Sequence, residues 1–417
     1  MIFLFFNLIL IFVLFEKIRR VVKYTLPFGE LIAIAFCIEN SFSPSILFVF
    51  FSPQYYVQGD TNFIDYPIEK FLLFSTISSI AFAVSLQTLK GNNGGSLIND
   101  NQKYQLSPLQ LFLIYLIGFI IQIFQFRELN FISNITYFIV ILSLLTYDSK
   151  TKLLSYLIRF FGLFYLFIES SKSGMYGSLI SGLIILFLYT TFEISFKQKK
   201  SPKIIFYYPL ILLGFFTLAF SQHFKLATRV EVWEGERVTT SEAKFYDIIN
   251  NNSITEISFF RPAASRLNQG WLVSLVMKKT EANNSFLYGK TIFDAVIVAI
   301  VPRIFWPNKP ESGGKENIKN YTDLQLNKST SMNIGTLGEL FINFGFYAPV
   351  GLFLYGLFIR LTLITLQNHL NAENRLYYYL IPFVFLGFIG SGNDIAMQLT
   401  TYFKSFIFIF FLNKIFS

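Results

Sequence analysis

Long apolar runs separated by short polar connections dominate this chain. They lie near 1–15, 28–51, 68–89, 108–126, 131–147, 153–170, 174–194, 204–222, 340–359, 377–391 and 395–413. At a rise of 1.5 Å per residue, roughly twenty helical residues cross a hydrocarbon core of about 30 Å. The pattern therefore predicts an all-α, polytopic membrane helix bundle of about eleven spans. One polar stretch, 223–338, interrupts the series and divides the chain into 1–222 with about eight spans, the stretch itself, and 339–417 with about three. Within it the apolar run 291–305 is short and ends near Pro302 and Arg303, which predicts a re-entrant or interfacial helix. The segment GNNGGSLINDNQ at 91–102 reads as a flexible loop, and no fixed-period repeat is visible.

Composition sharpens this picture by exclusion. Of 417 residues, 53% are hydrophobic and only 14% charged, against about 25% charged in an ordinary soluble domain. Too few charges remain to cover soluble domains, so a soluble enzyme, a disordered chain and a disulfide-stapled module are all excluded. The single cysteine, Cys37, lies in an apolar run and reads as a small buried residue. The net charge of +9 is scattered between the runs instead of clustering, which argues against a nucleic-acid partner.

Sorting the cations by loop gives an orientation. Lys17, Arg19, Arg20, Lys23, Lys90, Lys103, Lys150, Lys152, Lys197, Lys199, Lys200, Lys203, Arg360, Arg375 and Lys414 fall on one side. Only Arg127 and Lys172 fall in the opposite short connections. The positive-inside rule places the first set in the cytoplasm, with the N-terminus outside, the C-terminus inside and the 223–338 stretch outside. That stretch is too long for a simple connector and holds all three tryptophans, Trp233, Trp271 and Trp306.

Three clusters in and after it could carry chemistry. In AIVPRIFWPNKP at 299–310, Arg303 and Lys309 flank Phe305 and Trp306 between three prolines. Stiff backbone and a Trp at headgroup depth would hold two cations where a lipid phosphate or pyrophosphate lies. The same residues equally suit an interfacial anchor. In RPAASRLNQGWLVSLV at 261–276, Arg261 and Arg266 would diverge by about 140° on one helix. They would share a ligand only if Pro262 opens the helix and leaves Arg261 in the loop, and a solvated amphipathic face is the alternative. In GTLGELFINFGFYAPVG at 335–351, Glu339 re-enters the membrane with Asn343 on the same helix face. An intramembrane carboxylate suits a general base, or a structural partner for one of these arginines.

Weaker candidates are Arg159, Glu169 and Lys172 as an ion-pair set, Lys404, with Asp394 ten residues before it, and His223 as a lone structural histidine. Two distant histidines and one cysteine do not form a zinc site, so no metal is expected. Nucleotide-binding and nucleophile-elbow patterns are missing as well, so no cofactor is expected and an ATP-driven machine is disfavoured.

Taken in order, Arg261 and Arg266, FLYGKT at 286–291, VPRIFWPNKP at 301–310 and GELFINFGFYAPVG at 338–351 resemble the Wzy-type O-antigen and capsule polymerases of bacteria. Arg303 is followed eleven positions on by Gly314, a spacing found in some members. The resemblance covers roughly 261–351 and implies a metal-independent glycosyltransferase at the outer face of the inner membrane. It implies that a glycan on undecaprenyl pyrophosphate passes to a new lipid-linked repeat unit, for O-antigen, capsule or exopolysaccharide. The cations Arg303, Lys309, Arg266 and Arg261 would hold the pyrophosphate, Trp306 and Asn343 would line the substrate site, and Glu339 would serve as base. Partners implied are the lipid-linked oligosaccharides, membrane lipids and a chain-length regulator protein. Competing classes are an O-antigen ligase, another polyprenyl-linked glycosyltransferase with Asp60 and Asp65 as its acids, and a lipid-linked oligosaccharide flippase, whose short loops and repeated halves are missing here.

Overall fold

The structure is a computed structural model that describes residues 1–22, 26–51, 64–87, isolated positions between 191 and 223, 256–301, 305–306, 309, 314–326, 332–370, 383–385 and 387–416. Nearly all of the expected spans between 108 and 222 lie outside the described residues, as do Asp60, the 91–102 loop, Arg159, Glu169, Lys172, Pro302 and Arg303. Every regular element among the described residues is helical.

Helix α1 (Ile2–Val21) is apolar until its last turns, where Glu16 accepts hydrogen bonds from Arg19 at 2.7 and 2.6 Å and from Arg20 at 3.0 Å. Basic side chains there also complement the negative end of the helix dipole. The expected span 28–51 is one continuous helical rod, but it is not uniform. Helix α2 (Phe28–Cys37) passes through a π-turn, Ile38–Phe42, into α3 (Ser43–Phe50). Pro44 has no N–H to offer the carbonyl four residues back and its ring crowds that carbonyl. The wider π-turn accommodates both, and such turns recur at functional positions.

Helix α4 (Ile68–Leu86) is amphipathic in the reverse of the soluble sense. Leu73, Ile77, Ile80 and Val84 form an exposed stripe, whereas Ser75, Ser78, Ser79 and Ser85 are buried. The hydroxyls of Ser75, Ser78 and Ser85 bond back to carbonyls three or four residues earlier, so burying them strands no donor. Small residues let neighbouring backbones approach closely in an apolar solvent. Against this face lies helix α10 (Ala348–Leu370), so near that a Cβ on Gly356 would sit 1.8 Å from the Ser85 hydroxyl. Among the described residues, three stretches, 28–50, 68–86 and 335–366, are long and apolar enough to cross a membrane.

The expected single helix at 340–359 is two helices. The first, α9 (Gly335–Phe344), starts earlier than the apolar pattern suggested, and Gly345 ends it at φ +57°. A short 3-10 turn, Gly345–Tyr347, then leads into α10, which runs to Leu370. Arg360 therefore lies within a helix instead of in a connecting loop, and its charge acts on Lys17 of α1 at the same end of the bundle.

The described part of the polar stretch contains four helices ahead of α9. They are α5 (Arg261–Leu267), preceded by a 3-10 turn, α6 (Gly270–Asn283), α7 (Lys290–Ile300) and α8 (Lys315–Tyr321). The α7 helix starts one residue ahead of the predicted 291–305 run, and its length of about 16 Å is half a hydrocarbon core. It packs along the last helix, α11 (Ile395–Phe416), and turns Phe293, Ile297 and Ile300 outward. Helix α5 begins at Arg261 itself with Pro262 in its first turn, so Arg261 is not left in the preceding loop. The two arginines therefore diverge around α5, and the condition for a shared ligand is not met.

Candidate functional site

The segment Gly390–Ser391–Gly392–Asn393–Asp394, just ahead of α11, is where distant parts of the chain meet. Two glycines and two Asx residues before an apolar run make a tight turn followed by a helix N-terminus. The side chains around it come from the π-turn, from α5 and α6, from α7, and from the starts of α8 and α9.

The first contact is with the middle of the α2–α3 rod. Glu39 accepts hydrogen bonds from the Ser391 backbone at 2.8 Å, from the Ser391 hydroxyl and from the Gly392 backbone. Its neighbour Asn40 donates to the same hydroxyl at 2.8 Å. The Glu39 backbone carbonyl accepts from the Gln269 N–H at 2.9 Å, which explains why α5 and α6 are separate helices: Gln269 bonds across the fold instead of continuing α5. Arg266, exposed in the last turn of α5, lies within electrostatic reach of the Glu39 carboxylate. Glu39 is half-buried, and these bonds fix the direction of its carboxylate.

The second contact is Asp394, which is fully buried. Its carboxylate accepts from the Gly335 N–H at 3.1 Å, the Asn317 amide at 2.8 Å and the Gly314 N–H at 3.3 Å. Gly314 and Gly335 both hold φ near +80°, at +84° and +77°, a backbone state that glycine adopts without strain. At Gly335 a Cβ would also press to 2.8 Å from the Ser391 carbonyl. One side chain thereby ties the starts of α8, α9 and α11 together.

Glu339 lies beside this knot and is only 2% exposed. It accepts from the Ile395 N–H at 2.7 Å, at the start of α11, and from the Thr291 hydroxyl. A helix N-terminus stabilises a carboxylate, which is how this one is tolerated inside. The charged neighbour acting on it is another carboxylate, Asp394, and not the arginine partner that the sequence left open. Asn343 spends its amide on the fold: it donates to the Thr291 hydroxyl at 2.6 Å and the Glu339 carbonyl at 2.8 Å, and accepts from Gly289 at 2.9 Å. These bonds clasp the FLYGKT turn, where Tyr288 and Gly289 both have positive φ, to α9.

The remaining expected residues stand apart from the knot. Lys309 donates to the Val301 carbonyl at 2.9 Å and its backbone N–H to the Trp306 carbonyl at 3.0 Å. Trp306 is half-buried, and Phe305 beside it is exposed. Arg303 lies outside the described residues. His223 donates to the Phe259 carbonyl at 2.9 Å and stacks on that ring, a structural tie just ahead of α5. Glu39, Ser391 and Asp394 escaped the sequence reading as a group. Their signals were the polar ENS interruption of an apolar run ahead of Pro44, and the GSGND turn before the last span.

Over 106 residues the chain is 29% identical to a protein named O-antigen polymerase from Salmonella typhimurium, and equally to its namesake from Salmonella typhi. The match takes in 25% of this chain and 26% of each relative's length, so it spans about a quarter of the curated relatives. No family model matches the chain. No solved structure matches it.

Proposed function

We propose that this chain is an integral-membrane glycosyltransferase that polymerises lipid-linked oligosaccharide repeat units for a surface polysaccharide, with O-antigen as its most direct product. The observation that carries the reading is the similarity to two O-antigen polymerases, in a chain whose helices turn apolar stripes outward and carboxylates inward. The bundle also supplies what such a transfer needs, namely a carboxylate beside a cation within an apolar surround.

In this reading the acceptor hydroxyl attacks the anomeric carbon of the donor sugar. The bond from that carbon to the pyrophosphate oxygen breaks, and the hydroxyl proton passes to a carboxylate. Geometry favours Glu39 for that task, because it is oriented by Ser391 and Gly392 and lies near Arg266. Glu339, our first candidate from sequence, is enclosed and holds the start of α11, so it acts by positioning. The departing undecaprenyl pyrophosphate gathers negative charge, which Arg266, Arg303 and Lys309 would stabilise from the outer side, with Arg261 as a more distant cation and Trp306 setting depth. The donor sugar is already activated, so the reaction needs no nucleotide. A chain-length regulator would be a separate protein.

Deletion of the chain in its producing cell, followed by gel separation of surface glycan, tests the assignment. A polymerase leaves single repeat units on their acceptor, whereas complete loss of glycan would mark a flippase or a ligase instead. Within the same assay, Glu39→Gln and Arg303→Ala should each abolish long chains while the protein stays in the membrane at normal level. Long chains surviving in Glu39→Gln would remove Glu39 from the chemistry.

A further inference from the structure

A groove of about 680 Å³ opens between the segment leading into α4 and the far end of α6. That volume lies inside the range of small-ligand sites, about 300–1,000 Å³. Its walls carry Asp65, Tyr66, Pro67 and Lys70 on one side and Lys278 and Glu281 on the other. The walls are tied together: Lys278 pairs with Asp65 at 2.8 Å, the Asp65 N–H donates to Ser274 at 3.0 Å, and the Tyr66 hydroxyl donates to Glu281 at 2.7 Å. Burial and the Glu281 carboxylate hold the Tyr66 phenol above its ordinary range, so it stays a donor and its ring is fixed in place.

The chemistry of the lining selects among ligands. Two carboxylates balance two ammonium groups, so the groove has no net charge with which to hold a phosphate or pyrophosphate. Ile64 and Ala282 add apolar surface, but the four charged side chains among them do not suit an acyl chain. A neutral polyhydroxylated ligand fits both facts, since carboxylates accept from hydroxyls, ammonium groups donate to them, and the Tyr66 ring and Pro67 offer flat surfaces to sugar C–H groups. The position fits too. Helix α6 begins beside Gln269, which bonds Glu39, and reaches Glu281 after roughly 16 Å at 1.5 Å per residue. A glycan with one end near Glu39 could thus lie along α6.

We propose that this groove is a carbohydrate subsite that holds the sugar chain of the lipid-linked glycan away from the reacting centre, so that successive transfers occur before release. The inference rests on the polymerase reading and adds a site to it. The test uses the full chain with Lys278→Ala and Glu281→Ala combined, expressed in the deletion strain, and reads the glycan ladder. The ladder should shift to short chains, with two-unit and three-unit products still made. Binding is read by saturation-transfer NMR on the purified full chain in detergent, using the host's own repeat oligosaccharide released by mild acid. The double variant should bind it roughly tenfold more weakly, a loss of about 1.4 kcal/mol. Should the double variant fail to accumulate, Glu281→Gln, which keeps the side-chain shape, is read in the same way. An unchanged ladder overturns the proposal whatever the binding signal, and so does loss of the two-unit product, which would place the groove in the reaction itself. A full-length ladder in the deletion strain would instead defeat the polymerase reading.

Discussion

Asp394 and Glu39 are both acidic and both engaged by the 390–394 turn, yet the physics of their surroundings separates them. Asp394 is fully buried and answers two backbone amides and the Asn317 side chain. Truncating it strands those donors, and each buried unmet group costs about 1–3 kcal/mol. Asp394→Ala should therefore lower the melting temperature in detergent sharply and reduce the protein recovered from membranes, as size-exclusion profiles would report. Glu39→Gln keeps the shape and most of the Ser391 bonding, so its expected loss is of activity with the fold retained. A normal melting temperature for Asp394→Ala would remove it from the role of structural tie. Serine in apolar runs follows the same reasoning: the α4 hydroxyls answer their own helix and leave the lipid nothing to satisfy.

Among helices, the α4–α10 pair is held by close backbone approach. Gly356 lies against Ser85, and Gly29 of α2 approaches the last carbonyl of α4, where a Cβ would sit 2.6 Å from the Leu86 oxygen. In lipid, packing of this kind replaces the hydrophobic drive that water supplies to a soluble core. Gly356→Leu should force the two helices apart, giving an aggregated or protease-sensitive protein, whereas Leu354→Ala on the exposed stripe of the same helix should be silent. Limited proteolysis of the two variants side by side measures the difference. The breaks in helices were harder to foresee than the helices. An apolar run announces a span, but the Gly345 break and the division between α5 and α6 depend on partners far along the chain, Phe286 for one and Glu39 for the other.

For the molecule as a whole, the scheme of cytoplasmic cations and an outer 223–338 stretch makes a direct demand. A periplasm-dependent reporter fused near residue 280, inside α6, should be active, and a cytoplasm-dependent one at the same place silent. The reverse result would invert the membrane arrangement and move the α6 groove and the Arg266–Glu39 pair to the wrong side for a lipid-linked glycan. The order of apolar runs was enough to mark a helical membrane chain and the starts of α1, α2, α4 and α11 among its described helices. A hydrocarbon core demands about twenty consecutive apolar residues, and that demand is written locally. Which polar groups come together was decided only in three dimensions. Glu39 and Ser391 are 352 positions apart, and Asp394 gathers amides 59 and 80 positions away. In an apolar surround each buried polar group must find a partner, but nothing in its own neighbourhood states which one. That is why Glu339 stood out from the sequence, while the importance of Glu39 follows only from the contact between the 390–394 turn and the π-turn.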